Sequence, residues 1–269
     1  MLRDITVGQY LPLDSVIHKM DPRFKIIVSL IFIGSLFAVK SILGYGIVIA
    51  FIALMIAFSK VPFRYIIRGL KPILFIILFA FGLNIFFTPG KELIHYGFLT
   101  ITEEGLRQAF FMGMRLILLI IGTSMLTLTT SPIELTDGIE ACLSPFKRFG
   151  MPAHELAMMM TIALRFIPTL LNETDKIMKA QMARGADFES GNIASRAKSL
   201  IPLLVPLFIS AFRRADELAM AMEARCYRGG VGRTRMKQLK YTKLDIYGIC
   251  VFSIYMVLLI ILQRLPGII

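Results

Sequence analysis

The stretch SILGYGIVIAFIALMIAFSKVPFRYIIRGLK, residues 41–71, decides the class of fold. From Ser41 to Ser59 it holds no charged residue, and a helix of roughly 20 apolar residues is what the hydrocarbon core of a bilayer requires. The run stops at Lys60, and Arg64, Arg68 and Lys71 follow with no acid among them. An apolar run ending in a purely basic connection reads as a membrane helix arriving at the cytoplasmic side, where Lys and Arg are retained.

Four more runs of this kind lie on either side. They are Ile26 to Val39, Pro72 to about Thr88 with Asn84 as its one strongly polar side chain, Leu116 to about Thr130, and Ile246 to Gln263. The first is short, but Lys25 and Lys40 flank it and their long stems can reach to the headgroups. Its closeness to the run at Ser41 predicts a tight helical hairpin. Composition agrees: 56% of the 269 residues are hydrophobic and 18% charged, with mean hydropathy +0.72. A soluble domain is nearer half apolar and a quarter charged. The expected fold is all-α, a polytopic membrane protein of about five transmembrane helices with long amphipathic helices on the cytoplasmic side.

Thirty Lys and Arg against 18 Asp and Glu give a net charge of +12. In a soluble chain that excess points to nucleic acid; here it falls between spans, and no nucleic-acid partner is expected. The connection from Pro89 to Arg115 balances Lys91, Arg107 and Arg115 against Glu92, Glu103 and Glu104, as expected outside the cell. The N-terminus and residues 131–243 then fall inside and the C-terminus outside. Three regions result: a four-span region at 1–130, a cytoplasmic-side region at 131–243 and a last span at 244–269. Asp4, Asp14, Asp21 and Arg23 precede the first run and no cleavage site follows it, so the first span is expected to be retained. Cys142, Cys226 and Cys250 are odd in number and scattered, which gives neither a disulfide framework nor a metal spacing.

Two segments of the inside region share one plan. Residues 153–187 begin apolar, through Leu156, Ile162 and Phe166, and turn charged after Pro168, with Glu173, Asp175, Lys176 and Lys179. Residues 192–226 begin with Leu200, Leu204 and Phe208 and turn charged at Arg213, Arg214, Asp216 and Glu217. Such helices suit the membrane interface or an oblique entry into it. Kinks are expected near Pro168, Pro202 and Pro206, each of which removes a backbone donor. Asp175 with Lys179 and Arg213 with Glu217 are spaced to pair along each helix. Offset by 41 positions, Leu171, Asp175, Ile177, Ala180, Ala183 and Arg184 fall opposite Phe212, Asp216, Leu218, Ala221, Ala224 and Arg225. Both helices thus finish on Ala-Arg and a small residue: Ala183-Arg184-Gly185 and Ala224-Arg225-Cys226. One such end reads as a cation complementing the helix dipole before a glycine stop. Two matched ends read as a pair of docking tips, since a guanidinium between small neighbours protrudes and its planar fork suits carboxylates and carbonyls. Met151, Met158, Met159, Met160, Met178, Met182, Met220 and Met222 gather on the same helices; flexible thioethers suit either core filling or a surface that repacks against partners.

With its tandem Arg ends, the early Met20-Asp21-Pro22-Arg23-Phe24-Lys25 and the layout of spans, the chain resembles the transmembrane T component of energy-coupling factor transporters over nearly its whole length. The resemblance implies a non-catalytic subunit of an importer for vitamins or metal ions in the prokaryotic plasma membrane. Two cytoplasmic ABC-type ATPase subunits would receive Arg184 and Arg225, and a membrane-embedded S component, one or several in exchange, would select the substrate. Asp21, Pro22, Arg23 and Lys25 would hold the inner end of the first span.

No cofactor is expected. No G-x-x-x-x-G-K-[ST] occurs, since Gly90-Lys91 is followed by Glu92. His18, His95 and His154 are far apart, and no metal site is expected. Glu134, Asp137 and Glu140 read as the polar stripe of a short helix. A self-contained secondary transporter is the alternative, and it would carry ionisable residues within its spans, where this chain has almost none. A membrane enzyme acting on lipid is a weaker one.

Overall fold

The computed structural model describes residues 10–39, 41–96, 99–188, 192, 198–230 and 239–264. It divides into two compact units, one formed by Gln9–Gly138 with Gln238–Ile269, the other containing Ile139–Lys237. The first holds α1 (Pro22–Ala38), α2 (Ile42–Ser59), α3 (Phe63–Leu70), α4 (Leu74–Phe87), a hairpin of β1 (Glu92–Tyr96) and β2 (Leu99–Thr102), and α5 (Glu103–Thr129). Then α6 (Pro132–Leu143) leads out of it, and a 3-10 turn (Ser144–Phe149), α7 (Ala153–Ala183) and α8 (Ile201–Ala224) form the second unit. Finally α9 (Lys243–Arg264) returns to the first. The fold is all-α apart from the small hairpin.

Every expected span lies on a helix, with two differences. The fourth run begins at Glu103 rather than near Leu116, so residues 103–115 are not connection. Thr102 starts this helix, its Oγ1 accepting from Gly105 N at 3.0 Å, and Glu103 and Glu104 complement the dipole in the first turn. The connection before it is the antiparallel hairpin, which pairs Glu92 with Thr102 and Tyr96 with Leu99. The second difference concerns which helices can cross a membrane. By length and composition α2, α5, α7 and α9 qualify, and α3 with α4, bent by 56°, can count as a fifth. For α7 the sequence predicts a place at the interface or an oblique entry into it, not a full crossing. It qualifies because Glu155 and Arg165 are its only charges from Ala153 to Leu170. At 17 residues α1 is about 25 Å long, somewhat less than the hydrocarbon thickness.

The core of the first unit joins α1, α2, α5 and α9 through Phe32, Leu36, Tyr45, Val48, Leu118, Phe252, Tyr255 and Leu259. Close approach rests on small residues, as in membrane packing generally. Gly122 of α5 lies against the ring of Phe32, and any Cβ there would collide with it. Within this core, Tyr255 Oη donates to Ser35 Oγ at 2.8 Å while Ser35 donates to Phe32 O at 2.7 Å.

Polar ties gather at one end. Asp21 caps α1, its Oδ1 accepting from Arg23 N at 2.8 Å, and Pro22 occupies the first turn, where no hydrogen bond is lost. The backbone N–H of Asp21 donates to Oδ1 of Asp245 at 2.7 Å, and Oδ2 of Asp245 accepts from Thr242 N at 2.6 Å and Thr242 Oγ1 at 2.8 Å. Asp245 thus reaches back to cap the start of α9 and also grips α1. Arg23 donates to Leu239 O at 3.4 Å and lies over the ring of Tyr241, fixing the chain that enters α9. Lys25 does not reach out toward headgroups as expected: it is 7% exposed, and its Nζ donates to Thr129 O at 2.9 Å and His18 O at 3.3 Å. Turning inward lets it close the last turn of α5, whose carbonyls lack partners in the helix. His18 donates from Nε2 to Leu11 O at 3.0 Å, so its Nδ1 accepts from Ser15 Oγ at 2.6 Å.

Asp245 is fully buried, and Asp245→Ala strands two backbone donors. We expect it to cost about 3 kcal/mol, read as a lowered Tm of the chain in detergent. Burial, with Lys25's charge adding to it, holds the pKa of His18 below its ordinary 6.5. As pH falls the unfolded chain takes up the proton first, so the stability of this segment is full above about pH 6.5 and declines below it. Amide protection factors for residues 11–20 should drop between pH 7 and pH 5.5, and His18→Gln should flatten that dependence.

Candidate functional site

The two Ala-Arg ends are built alike. At the end of α7, Gly185 N donates to Met182 O and Ala186 N donates to Gln181 O, each at 3.0 Å. At the end of α8, Cys226 N donates to Glu223 O at 2.8 Å and Tyr227 N to Met222 O at 3.0 Å. Each is a Schellman closure, and the 41-residue offset seen in sequence carries every bond of one onto the other. Arg184 (φ −89°) and Arg225 (φ −92°) are the last residues before a left-handed position, filled by Gly185 at φ +89° and Cys226 at φ +54°. Since the backbone closes both turns itself, neither arginine is needed as a cap. Ala183, Arg184, Gly185, Ala224, Arg225 and Cys226 are all exposed.

The repeat extends to how the helices pack. Gln181 of α7 donates to Pro202 O at the start of α8 at 3.3 Å. Arg214 Nη2 meets Glu173 Oε2 at 3.6 Å in the middle. Thr161 and Ile162 of α7 share a groove of about 520 Å³ with Met222 and Arg225. The helices therefore run antiparallel. Adding the offset to Glu173 gives Arg214, adding it to Gln181 gives Met222 and subtracting it from Pro202 gives Thr161, so the Gln181–Pro202 bond at one end corresponds to the groove that Thr161 and Met222 share at the other. The pair is related by a local pseudo-two-fold axis at the Glu173–Arg214 contact. That ion pair is partly exposed and worth at most about 1 kcal/mol. Among the described residues the expected within-helix pairs, Asp175 with Lys179 and Arg213 with Glu217, are not closed. The axis sends the Arg ends to opposite ends of the pair, separated by about the 35 Å that α8 spans between Pro202 and Arg225.

Of the three prolines, Pro168 and Pro206 lie inside α7 and α8. Pro202 instead stands in the first turn of α8, where its missing N–H had no partner to lose; the helix starts there rather than bending. From this first turn onward Ile201, Leu204, Val205, Phe208, Ile209 and Phe212 form one exposed apolar stripe. Glu134, Asp137 and Glu140 fall on α6 as expected, and Glu140 Oε1 holds His154 Nδ1 at 3.1 Å. Among the described residues no three His, Cys, Asp or Glu side chains stand close enough to hold a metal.

A Cys at φ +54° carries the cost of a left-handed L-residue, about 1 kcal/mol. Cys226→Gly should therefore raise stability by about that amount, while Gly185→Ala should lower it similarly, both measured by thermal unfolding in detergent. A loss on Cys226→Gly contradicts the matched closures.

Comparison with known proteins agrees with the resemblance seen in sequence. The family model CbiQ, described as cobalt transport protein, matches residues 14–237. The energy-coupling factor transporter transmembrane protein EcfT of Clostridium kluyveri is 61% identical over 268 residues, covering 98% of both chains. The protein of that name from Acidaminococcus fermentans is 55% identical over 268 residues, 99% of this chain and 100% of the relative. That of Bacillus subtilis is 49% identical over 246 residues, 91% and 93%. The chain belongs to this family: it is an EcfT-type transmembrane component of an energy-coupling factor transporter, a transport subunit rather than an enzyme.

Proposed function

We propose that α7 and α8 are coupling helices whose two ends, centred on Arg184 and Arg225, dock into two cytoplasmic ATP-hydrolysing subunits. The observation that carries this reading is the pseudo-two-fold pair. It offers the same exposed Ala-Arg-small turn twice, facing apart, which is what a pair of like subunits can grip with like grooves. Each guanidinium supplies five donors in a planar fork, suited to carboxylates and helix-end carbonyls of the partner. The groove beside Arg225, with Met158 and Met222 in its wall, offers a deformable apolar bed next to that charge.

In this account nucleotide-driven closure of the ATPase pair changes the distance between the tips and so the crossing of α7 and α8. The exposed stripe from Ile201 to Phe212 hands that movement to a separate membrane-embedded S component, which holds a vitamin or a metal ion. Cobalt, in the family description, is one cargo of that class. The basic residues of one end of the first unit support the orientation expected from sequence. Lys60, Arg64, Arg68 and Lys71 flank or lie on α3, and α3 packs near Met125 and Leu128 of α5, the end where Lys25 also sits. That end is assigned to the cytoplasm, with residues 131–243 following it there and the C-terminus outside.

Arg184→Ala or Arg225→Ala should each weaken retention of the ATPase subunits about tenfold or more, and the double change more than either. Arg→Lys should be damaging too, because it keeps the charge and loses the fork. The measurement is the ratio of ATPase to this chain after co-purification, beside ATP-driven uptake in proteoliposomes. Full assembly and uptake by the double variant overturn the reading.

A further inference from the structure

At the end of the first unit opposite Lys25, α5 carries a stripe that the transport reading leaves without a task. Glu104, Arg107, Gln108, Phe111, Met112 and Arg115 recur at helical spacing on one face, and with Val39 they line a notch of about 440 Å³. The notch exists because α1 stops at Val39 while α5 continues from Arg115 back to Glu103, about 18 Å further.

Both cations converge on one aromatic pair. Phe111 and Tyr45 stack with centroids 5.4 Å apart and planes 17° from parallel. The guanidinium of Arg107 lies 5.7 Å from the centre of the Phe111 ring. Arg115 donates from Nε to Tyr45 Oη at 3.3 Å and from Nη2 to Val39 O at 3.4 Å, with its guanidinium over Phe37. These two bonds are long and leave three of its five donors unused. Among the described residues no acid pairs with either arginine. Glu104, the nearest acid in the wall, already accepts from Lys91 N at 2.7 Å. Next to the notch residues in the chain, Phe37, Ile42, Leu43, Leu106 and Phe110 are all about half exposed or more. Two under-used guanidinium forks at the stepped end of a helix bundle, flanked by apolar side chains, call for a ligand with an anionic head and apolar tails.

We propose that this notch binds the phosphate headgroup of an anionic phospholipid, held between Arg107 and Arg115 on the Phe111–Tyr45 pair, with its acyl chains along the exposed faces of α1 and α5. A protein carboxylate would satisfy the forks but not the apolar flanks. The test is native mass spectrometry of the detergent-purified full chain, titrated with phosphatidylglycerol, with phosphatidylcholine and with phosphatidylglycerol in the presence of inorganic phosphate. The wild-type chain should retain phosphatidylglycerol over phosphatidylcholine by about tenfold. The double variant Arg107→Gln, Arg115→Gln should lose the preference. Because Arg115 also ties α5 to the end of α1, Arg107→Gln alone is the decisive variant if the double fails to fold; Arg107 is exposed and makes no hydrogen bond among the described residues. Equal retention of the two lipids, an unchanged preference in Arg107→Gln, or displacement of the lipid by millimolar inorganic phosphate overturns the proposal, the last by assigning the notch to a soluble anion.

Discussion

The last carbonyls of a helix need donors, and at the ends of α7 and α8 the chain supplies them from its own next backbone N–H groups. That closure frees Arg184 and Arg225 from capping and leaves both exposed in the same backbone setting. Repeating the closure at an offset that also maps Glu173 onto Arg214 turns two helices into a pseudo-symmetric pair. One duplicated piece of local geometry therefore accounts for the shape of each tip and for the existence of two.

The membrane unit obeys the complementary constraint, that a polar group withdrawn from water must be paired. Its charges are not avoided but tied to helix ends. Asp245 bonds the N-termini of α1 and α9 together, Lys25 bonds the C-terminal carbonyl of α5, and Arg115 bonds the carbonyl that ends α1. In each case a polar side chain meets the orphan donors or acceptors of a terminus, and the interior between them is left to Phe, Leu, Ile and glycine contacts. A bundle pinned at its ends and greasy along its length suits a transport subunit set in a bilayer.

Much of this was open to reading in the sequence. Uncharged runs marked α2 and α9 because nothing else satisfies some 20 apolar residues in a row. The offset that pairs Arg184 with Arg225 was visible too, although the two-fold axis was not, because it depends on antiparallel contacts such as Gln181 with Pro202. Arg107 and Arg115 misled by looking like water-facing loop residues, when aromatic faces and a carbonyl accommodate them on a helix. Lys25 misled in the same sense, since a lysine flanking a span usually turns outward. The spacing of Thr242 and Asp245 before an apolar run was a legible capping signal. Its second role, gripping α1 from the far end of the sequence, was not.

If the two matched ends are docking tips, they meet two different copies of a like surface. Placing a photoreactive residue at position 184 or at position 225 of the intact transporter and identifying the cross-linked peptides tests this most directly. Each position should join an ATP-hydrolysing subunit, the two sites falling on equivalent grooves of separate subunits. Cross-links from either position that reach only lipid or the S component, or that both reach a single subunit, contradict it.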